Sequence, residues 1–192
     1  IMYNFSENRL KELKEKFKGK RIAVVGDMML DCYFWGDVKR ISPEAPVPVV
    51  EVDNEFYRFG GAANVALNIV KLGSIPIPIG VVGNDNNADV FTKLMMDAGI
   101  TNNSGIFKDN NRPTTIKTRV IANNQHVVRI DKESKSYISK DIEDKILEFY
   151  ESNINEIDGV ILEDYNKGVL TERIIRGIID ISVKNNKVIT VD

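Results

Sequence analysis

Cysteine is almost missing from this chain: among 192 residues only Cys32 carries a thiol. That excludes an internal disulfide and leaves no thiolate cluster for a metal. Histidine is as scarce. His126 stands alone, with no carboxylate or cysteine partner in the pattern, and reads as a surface or packed residue rather than a catalytic base. No apolar run approaches the ~20 residues of a membrane span. The N-terminus has no apolar signal-peptide core, so the expected setting is the cytoplasm, with no membrane partner. Neither sign of charge is in excess, since 26 Lys and Arg against 28 Asp and Glu leave a net charge of −2. Nothing in that balance points to nucleic acid. The phosphate loops G-x-G-x-x-G and Gly-Lys-Ser/Thr are both absent, so a nucleotide site of either kind is unsupported.

What is present is an alternation of short apolar runs with one-faced helical patterns. Ser6 caps a run with Leu10, Leu13 and Phe17 at helical spacing. "RIAVVG" (21–26) and "IPIPIGVVG" (75–83) read as buried strands, and Val65–Leu72 and Asp89–Ala98 as helices stopped by glycine. Thr101–Pro113 reads as a polar loop. Ser139 opens a helix to about Tyr150; Gly159–Glu163 is a strand, Thr171–Lys184 a helix and Lys187–Asp192 a strand. Strands alternating with helices predict an α/β fold with a mostly parallel sheet covered on both faces. Two segments do not fit: "PEAPVPVVEV" (43–52), and residues 114–131, whose β-rich halves flank Asn123-Asn124 as in a hairpin. They predict a small separate sheet. The last strand stops as it forms, at Val191-Asp192, which predicts that the chain is the front part of a longer domain.

Ligands of open α/β sheets sit at the carboxyl ends of strands. Asp27 lies there after "IAVV", as an acceptor for vicinal sugar hydroxyls or as a turn aspartate. Gly60-Gly61 precede a helix that carries Asn64 in its first turn. The pair admits close approach of an oxygen-rich ligand to the main chain, or makes an ordinary turn. "LEDYNKG" (162–168) places Asp164 and Lys167 past another strand, as site residues or as a solvated loop. Lys117 and Arg119 share one face of the hairpin. Arg129 joins the opposite face if the turn has two residues, and theirs if it is one residue longer. Tyr33 and Trp35 read as packing residues. Spacing alone reaches an α/β protein that binds a small polar ligand.

The stretches "VVGDMMLDCYFWGDVKRISPEAPVPVVEV", "GGAANVALNI", "NNQHVVRID" and "EDYNKGVLT" occur together and in order. They resemble the ribokinase-like (PfkB) carbohydrate kinases over residues 20–192, and within them the branch acting on D-glycero-β-D-manno-heptose 7-phosphate. The resemblance implies a Rossmann-like sheet with a small β-lid, at about 41–59 and 111–131, through which two copies dimerise. It implies that the γ-phosphate of ATP, with Mg2+, passes to O1 of the sugar phosphate, for lipopolysaccharide core precursors. Gly60, Gly61, Asn64 and Asp27 then line the sugar site, Asp164 and Lys167 lie in the cleft, and Lys117 and Arg119 meet the substrate phosphate. The late Gly-Ala-Gly-Asp motif of such kinases, which supplies the base and anion hole, does not occur in these residues. The expectation is an acceptor-sugar half without catalytic base, metal site or tightly held ATP. The other hypothesis is a non-catalytic sugar-phosphate-binding or dimerisation module.

Overall fold

The computed structural model describes residues 6–192. In chain order the elements are α1 (Glu7–Phe17), β1 (Arg21–Gly26), β2 (Met28–Ile41), β3 (Pro48–Gly60), α2 (Gly61–Lys71), β4 (Ile75–Gly83), α3 (Asn86–Asp97), β5 (Ile106–Asp109), β6 (Thr115–Ala122), β7 (Gln125–Lys132), α4 (Lys140–Ser152), β8 (Gly159–Glu163), α5 (Glu172–Lys184) and β9 (Val188–Val191). Five strands form one parallel sheet in the order β5-β4-β1-β8-β9. Its central strand shows why an unbroken apolar run was needed. Ala23 and Val25 pack on the α4 and α5 side, Val24 on the α2 and α3 side, and all three are fully buried. Side-chain caps set the helix starts: Asp85 accepts from Ala88 N–H for α3, and Ser139 and Thr171 do the same for α4 and α5.

The second sheet has the order β3-β2-β6-β7, with β2 parallel to β6 and the other pairs antiparallel. It corrects the expected extent of the lid. Its longest strand, β2, reaches the anticipated segments only at Ile41 and follows β1 with only Asp27 between. The chain leaves the parallel sheet through Asp27, runs out along β2, returns along β3 and enters α2 at Gly60-Gly61. On β2, Leu30 and Cys32 face the core with Phe59 and Ile116, whereas Asp31 and Tyr33 point the other way. Smaller corrections follow the same logic of tertiary context over local pattern. β5 lies inside the expected loop 101–113, where pairing to β4 decides its conformation. Helices α2 and α3 begin earlier than read, at Gly61 and Asn86. Helix α1 forms with its Ser6 cap but buries no residue, and Leu10 remains half exposed.

The Asn123-Asn124 turn joins Ala122 directly to Gln125, both asparagines having positive φ (50° and 61°), as a two-residue I′ hairpin requires. A register shift then leaves Val127 unpaired, between Ile121 opposite His126 and Val120 opposite Val128. Arg129 therefore ends up opposite Arg119, on its face, despite the two-residue turn.

Candidate functional site

Where β2, β3 and β6 meet the start of α2, their outward face closes a basin of about 420 Å³. Strand register places its residues. Arg58, Asp31 and Lys117 stand side by side across β3, β2 and β6, and Phe56, Tyr33 and Arg119 form the next row on the same face. Gly60, Gly61 and Asn64 make the end wall, and Tyr165, from the loop after β8, closes the side.

Charge in the basin is unequal. Arg119 donates to Asp31 at 2.6 Å, with both side chains about four-fifths buried. Arg58 lies over the rings of Tyr33 and Phe56, at 5.6 and 5.3 Å, and Arg119 over Tyr33 at 5.3 Å. Those two rings stack at 4.9 Å. Guanidinium groups held on ring faces keep their charge while their positions are restricted. Among the described residues neither Arg58 nor Lys117 enters an ion pair, so three cations face one carboxylate. Burial and the carboxylates of Glu163 and Asp192 push the Tyr165 phenol up, so it stands at the rim as a hydroxyl.

The two glycines are required first by the protein itself. Gly61 has φ +53°, and a Cβ there would lie 2.6 Å from Met29 Cε and collide with the Asp27 carbonyl oxygen. A Cβ on Gly60 would press on the Asp31 carboxylate at 3.2 Å. The close packing of Asp27, Met29 and Asp31 against the pair thus calls for glycine whether or not a ligand approaches it.

Of the residues singled out from the sequence, the basin gathers Gly60, Gly61, Asn64, Lys117 and Arg119. It does not gather Asp27, Asp164 or Lys167. Asp27 is 1% exposed, and its oxygens accept the main-chain N–H groups of Tyr165 (2.9 Å), Lys167 (3.0 Å) and Val169 (3.2 Å). Burial pushes its carboxyl up, against the pull of those N–H groups. Asp164 is exposed and accepts from the N–H of Asn166, a local turn. The Lys167 ammonium pairs with Glu133 at 3.0 Å. The basin's carboxylate is Asp31, four residues beyond Asp27. Asp31, Arg58 and Tyr165 escaped sequence reasoning, and Tyr33 is a platform for two guanidinium groups rather than a packing residue. Trp35 is 39% exposed and His126 lies at the surface. The alternation of Asp31 and Tyr33 with buried Leu30 and Cys32 was the signal available for β2.

Other concavities offer less chemistry. A groove of about 460 Å³ beside β8 and β9 is lined mainly by Phe17, Ile22, Ile69 and Val160, and its two charges, Lys20 and Asp158, bond each other at 3.0 Å. Among the described residues no group of three or more His, Cys, Asp or Glu side chains is placed to hold a metal. No described helix is long and apolar enough to cross a membrane.

Comparison with known proteins agrees with this architecture. The chain is 46% identical over 173 residues to the Bifunctional protein HldE of Helicobacter pylori, covering 90% of this chain and 37% of that protein. The HldE of Helicobacter hepaticus is 41% identical over 175 residues, covering 91% and 36%. The chain thus spans little more than a third of the curated relatives it matches. Among solved structures, Arabidopsis thaliana ribokinase complexed with ribose and ATP superposes with a TM-score of 0.61 at 16% identity, over 91% of this chain and 53% of that one. The tetrameric inhibited form of phosphofructokinase-2 from Escherichia coli gives 0.62 at 15%, over 91% and 54%. These likenesses establish the ribokinase-like α/β fold. The pattern described as pfkB family carbohydrate kinase matches residues 20–181, and with the relatives above it establishes that the chain belongs to that family.

Proposed function

We propose that the basin receives the acceptor of a carbohydrate kinase reaction: D-glycero-β-D-manno-heptose 7-phosphate, phosphorylated at O1 from ATP with Mg2+ in the cytoplasm. The observation that carries this reading is the charge imbalance, with Arg58, Lys117 and Arg119 around the single carboxylate Asp31. A sugar phosphate needs both halves of such a site. Asp31 and Asn64 suit hydroxyls, and the cations suit a dianionic ester. The relatives named HldE support the choice of heptose. ATP with Mg2+ supplies the phosphoryl group and the charge neutralisation; the residues described here bind and orient the acceptor.

Calorimetry on the full-length gene product tests this. Hydrogen bonds to charged groups are worth roughly 1.5–3 kcal/mol each, so a Lys117→Met/Arg119→Met double variant should bind heptose 7-phosphate at least ~100-fold more weakly. Affinity for unphosphorylated heptose should fall by a smaller factor, through the loss of the Arg119 partner of Asp31. Retention of tight phosphate-ester binding would exclude the basin as the phosphate subsite. The isolated 192-residue chain should release no ADP above background, because Gly-Ala-Gly-Asp does not occur in it. Loss of one oxyanion stabiliser alone typically costs about 10²–10³ in rate. Turnover within a hundredfold of full length, about 2.7 kcal/mol in barrier, would contradict this. The exposed apolar residues of the second sheet, including Trp35, Ile41, Val128 and Ile130, support a homodimer formed through it, which sedimentation at micromolar concentration would detect.

A further inference from the structure

Asp27 sits at the crossing of the two segments that wall the basin, without lining it. Its main-chain carbonyl accepts the N–H of Ala62 at 3.1 Å, which fixes the Gly60-Gly61 wall. Its side chain accepts three alternate N–H groups from residues 165–169. That loop is contorted, with Asn166 at φ +56° and Gly168 at φ +83°, so its amides converge on one point. Such a concave row of N–H groups is an anion nest, and here the anion is the protein's own carboxylate. The loop is gripped from the other side as well. The Arg112 guanidinium donates to the carbonyl oxygens of Lys167 and Ser134, and the Lys167 ammonium pairs with Glu133. What this clamp holds out toward the basin is the side chain of Tyr165.

We propose that Asp27 is a positioning residue: as the permanent anion of the 165–169 nest, it sets Tyr165 against the acceptor sugar phosphate without touching that ligand. This rests on the reading of the basin as the acceptor site. An asparagine at 27 keeps the size but turns one acceptor into a donor aimed at N–H groups, so the nest loses its anion and Tyr165 its placement.

Steady-state kinetics of the full-length protein test the role through Asp27→Asn, Tyr165→Ala, the double variant and Arg119→Met. Asp27→Asn should lower kcat/KM for the sugar phosphate at least tenfold while leaving the KM for ATP within twofold. Tyr165→Ala should cost at least fivefold alone and less than twofold in the Asp27→Asn background, since Asp27 acts through Tyr165. Full additivity, or an unchanged kcat/KM in a folded Asp27→Asn variant, would overturn the proposal. Should that variant fail to fold, hydrogen exchange on the wild type still decides. The amides of Tyr165, Lys167 and Val169 should be protected at least a hundredfold, and free exchange at all three would refute the nest. Arg119→Met separates the two readings. If it leaves sugar-phosphate affinity unchanged, the basin assignment falls. If it abolishes binding while Asp27→Asn does not alter kcat/KM, only the positioning role falls.

Discussion

The parallel sheet and the second sheet differ in composition and in burial: apolar runs build the centre of the first, and charged and aromatic residues interleave with apolar ones in the second. Helices cover both faces at the centre of the first, where β1, β4 and β8 are buried over most of their length, while its edge strand β9 is largely exposed. The second is enclosed only in part: Leu30 of β2 and Ile121 of β6 are buried, while every residue of β7 is exposed. Stability therefore concentrates in the parallel sheet, while the second sheet keeps a charged face and exposed apolar residues such as Ile41 and Ile130. The basin forms where the two regimes meet, with buried backbone at its end wall and guanidinium groups held over aromatic rings on its floor.

The sharpest test of this contrast is Ile146→Ala in α4, fully buried under the parallel sheet. It should cost about 2–5 kcal/mol in urea unfolding; a loss under about 1 kcal/mol would show that the core is not where burial locates it. Gly61→Ala at the junction should follow, at about 2–3 kcal/mol, because its positive φ and the contacts of Asp27 and Met29 leave no room for a methyl group. Sugar-phosphate binding should weaken with it. A stable, fully binding alanine variant would mean that β2 can shift away.

A smaller effect is expected at the Asp85–Thr114 latch, which ties the start of α3 to the start of β6. Asp85 accepts from the Thr114 hydroxyl at 2.7 Å and from its N–H at 3.0 Å. Burial opposes ionisation of Asp85, but the Thr114 donors, the Ala88 N–H and the charge of Lys132 outweigh it and hold its carboxyl below the usual aspartate range. A depressed folded pKa adds stability that is fully present above the unfolded value of about 3.9 and is lost as pH falls through the folded value. Thr114→Val should therefore cost about 1–2 kcal/mol at pH 7, and the gap to wild type should narrow as pH falls toward about 2. Urea midpoints across that range measure it, and a pH-independent gap would remove the carboxylate from the explanation. Least of all, Ile130→Ala on exposed β7 should shift stability by no more than about 0.5 kcal/mol while weakening self-association in sedimentation. A core-sized loss there would erase the distinction between the sheets.

The same contrast explains what could be read from sequence. Strands β1, β4 and β8 announced themselves as apolar runs between turns, because burial on both faces leaves no other composition. Helix α4 was visible through Ser139, a cap whose chemistry is local, and α5 through the run that starts at Thr171. β2 was not. Near its root both faces are covered, by Met28 and Leu30 on one side and Met29 on the other, so the period-two signal blurs before Asp31 and Tyr33 reveal it. Asp31 was passed over for Asp27 for the same reason, since strand-end logic selects the residue beside Gly26 and cannot see a second sheet turning its own carboxylate into the cleft. Arg129 depended on the bulge at Val127, which no local rule encodes.

The excursion from Asp27 to Gly61 closes on itself, with Met28 paired to Gly61 in an isolated bridge. The basin side chains that β2 and β3 supply cluster in the first residues of β2 and the last of β3, beside that closure. The remote stretch, Trp35–Ile41 with Pro48–Asn54, is thus a modular tip. Lengthening, trimming or re-decorating it changes loop-closure entropy only slowly with length and leaves the root register untouched. The tip can then vary in length and surface while the base keeps the register that shapes the basin.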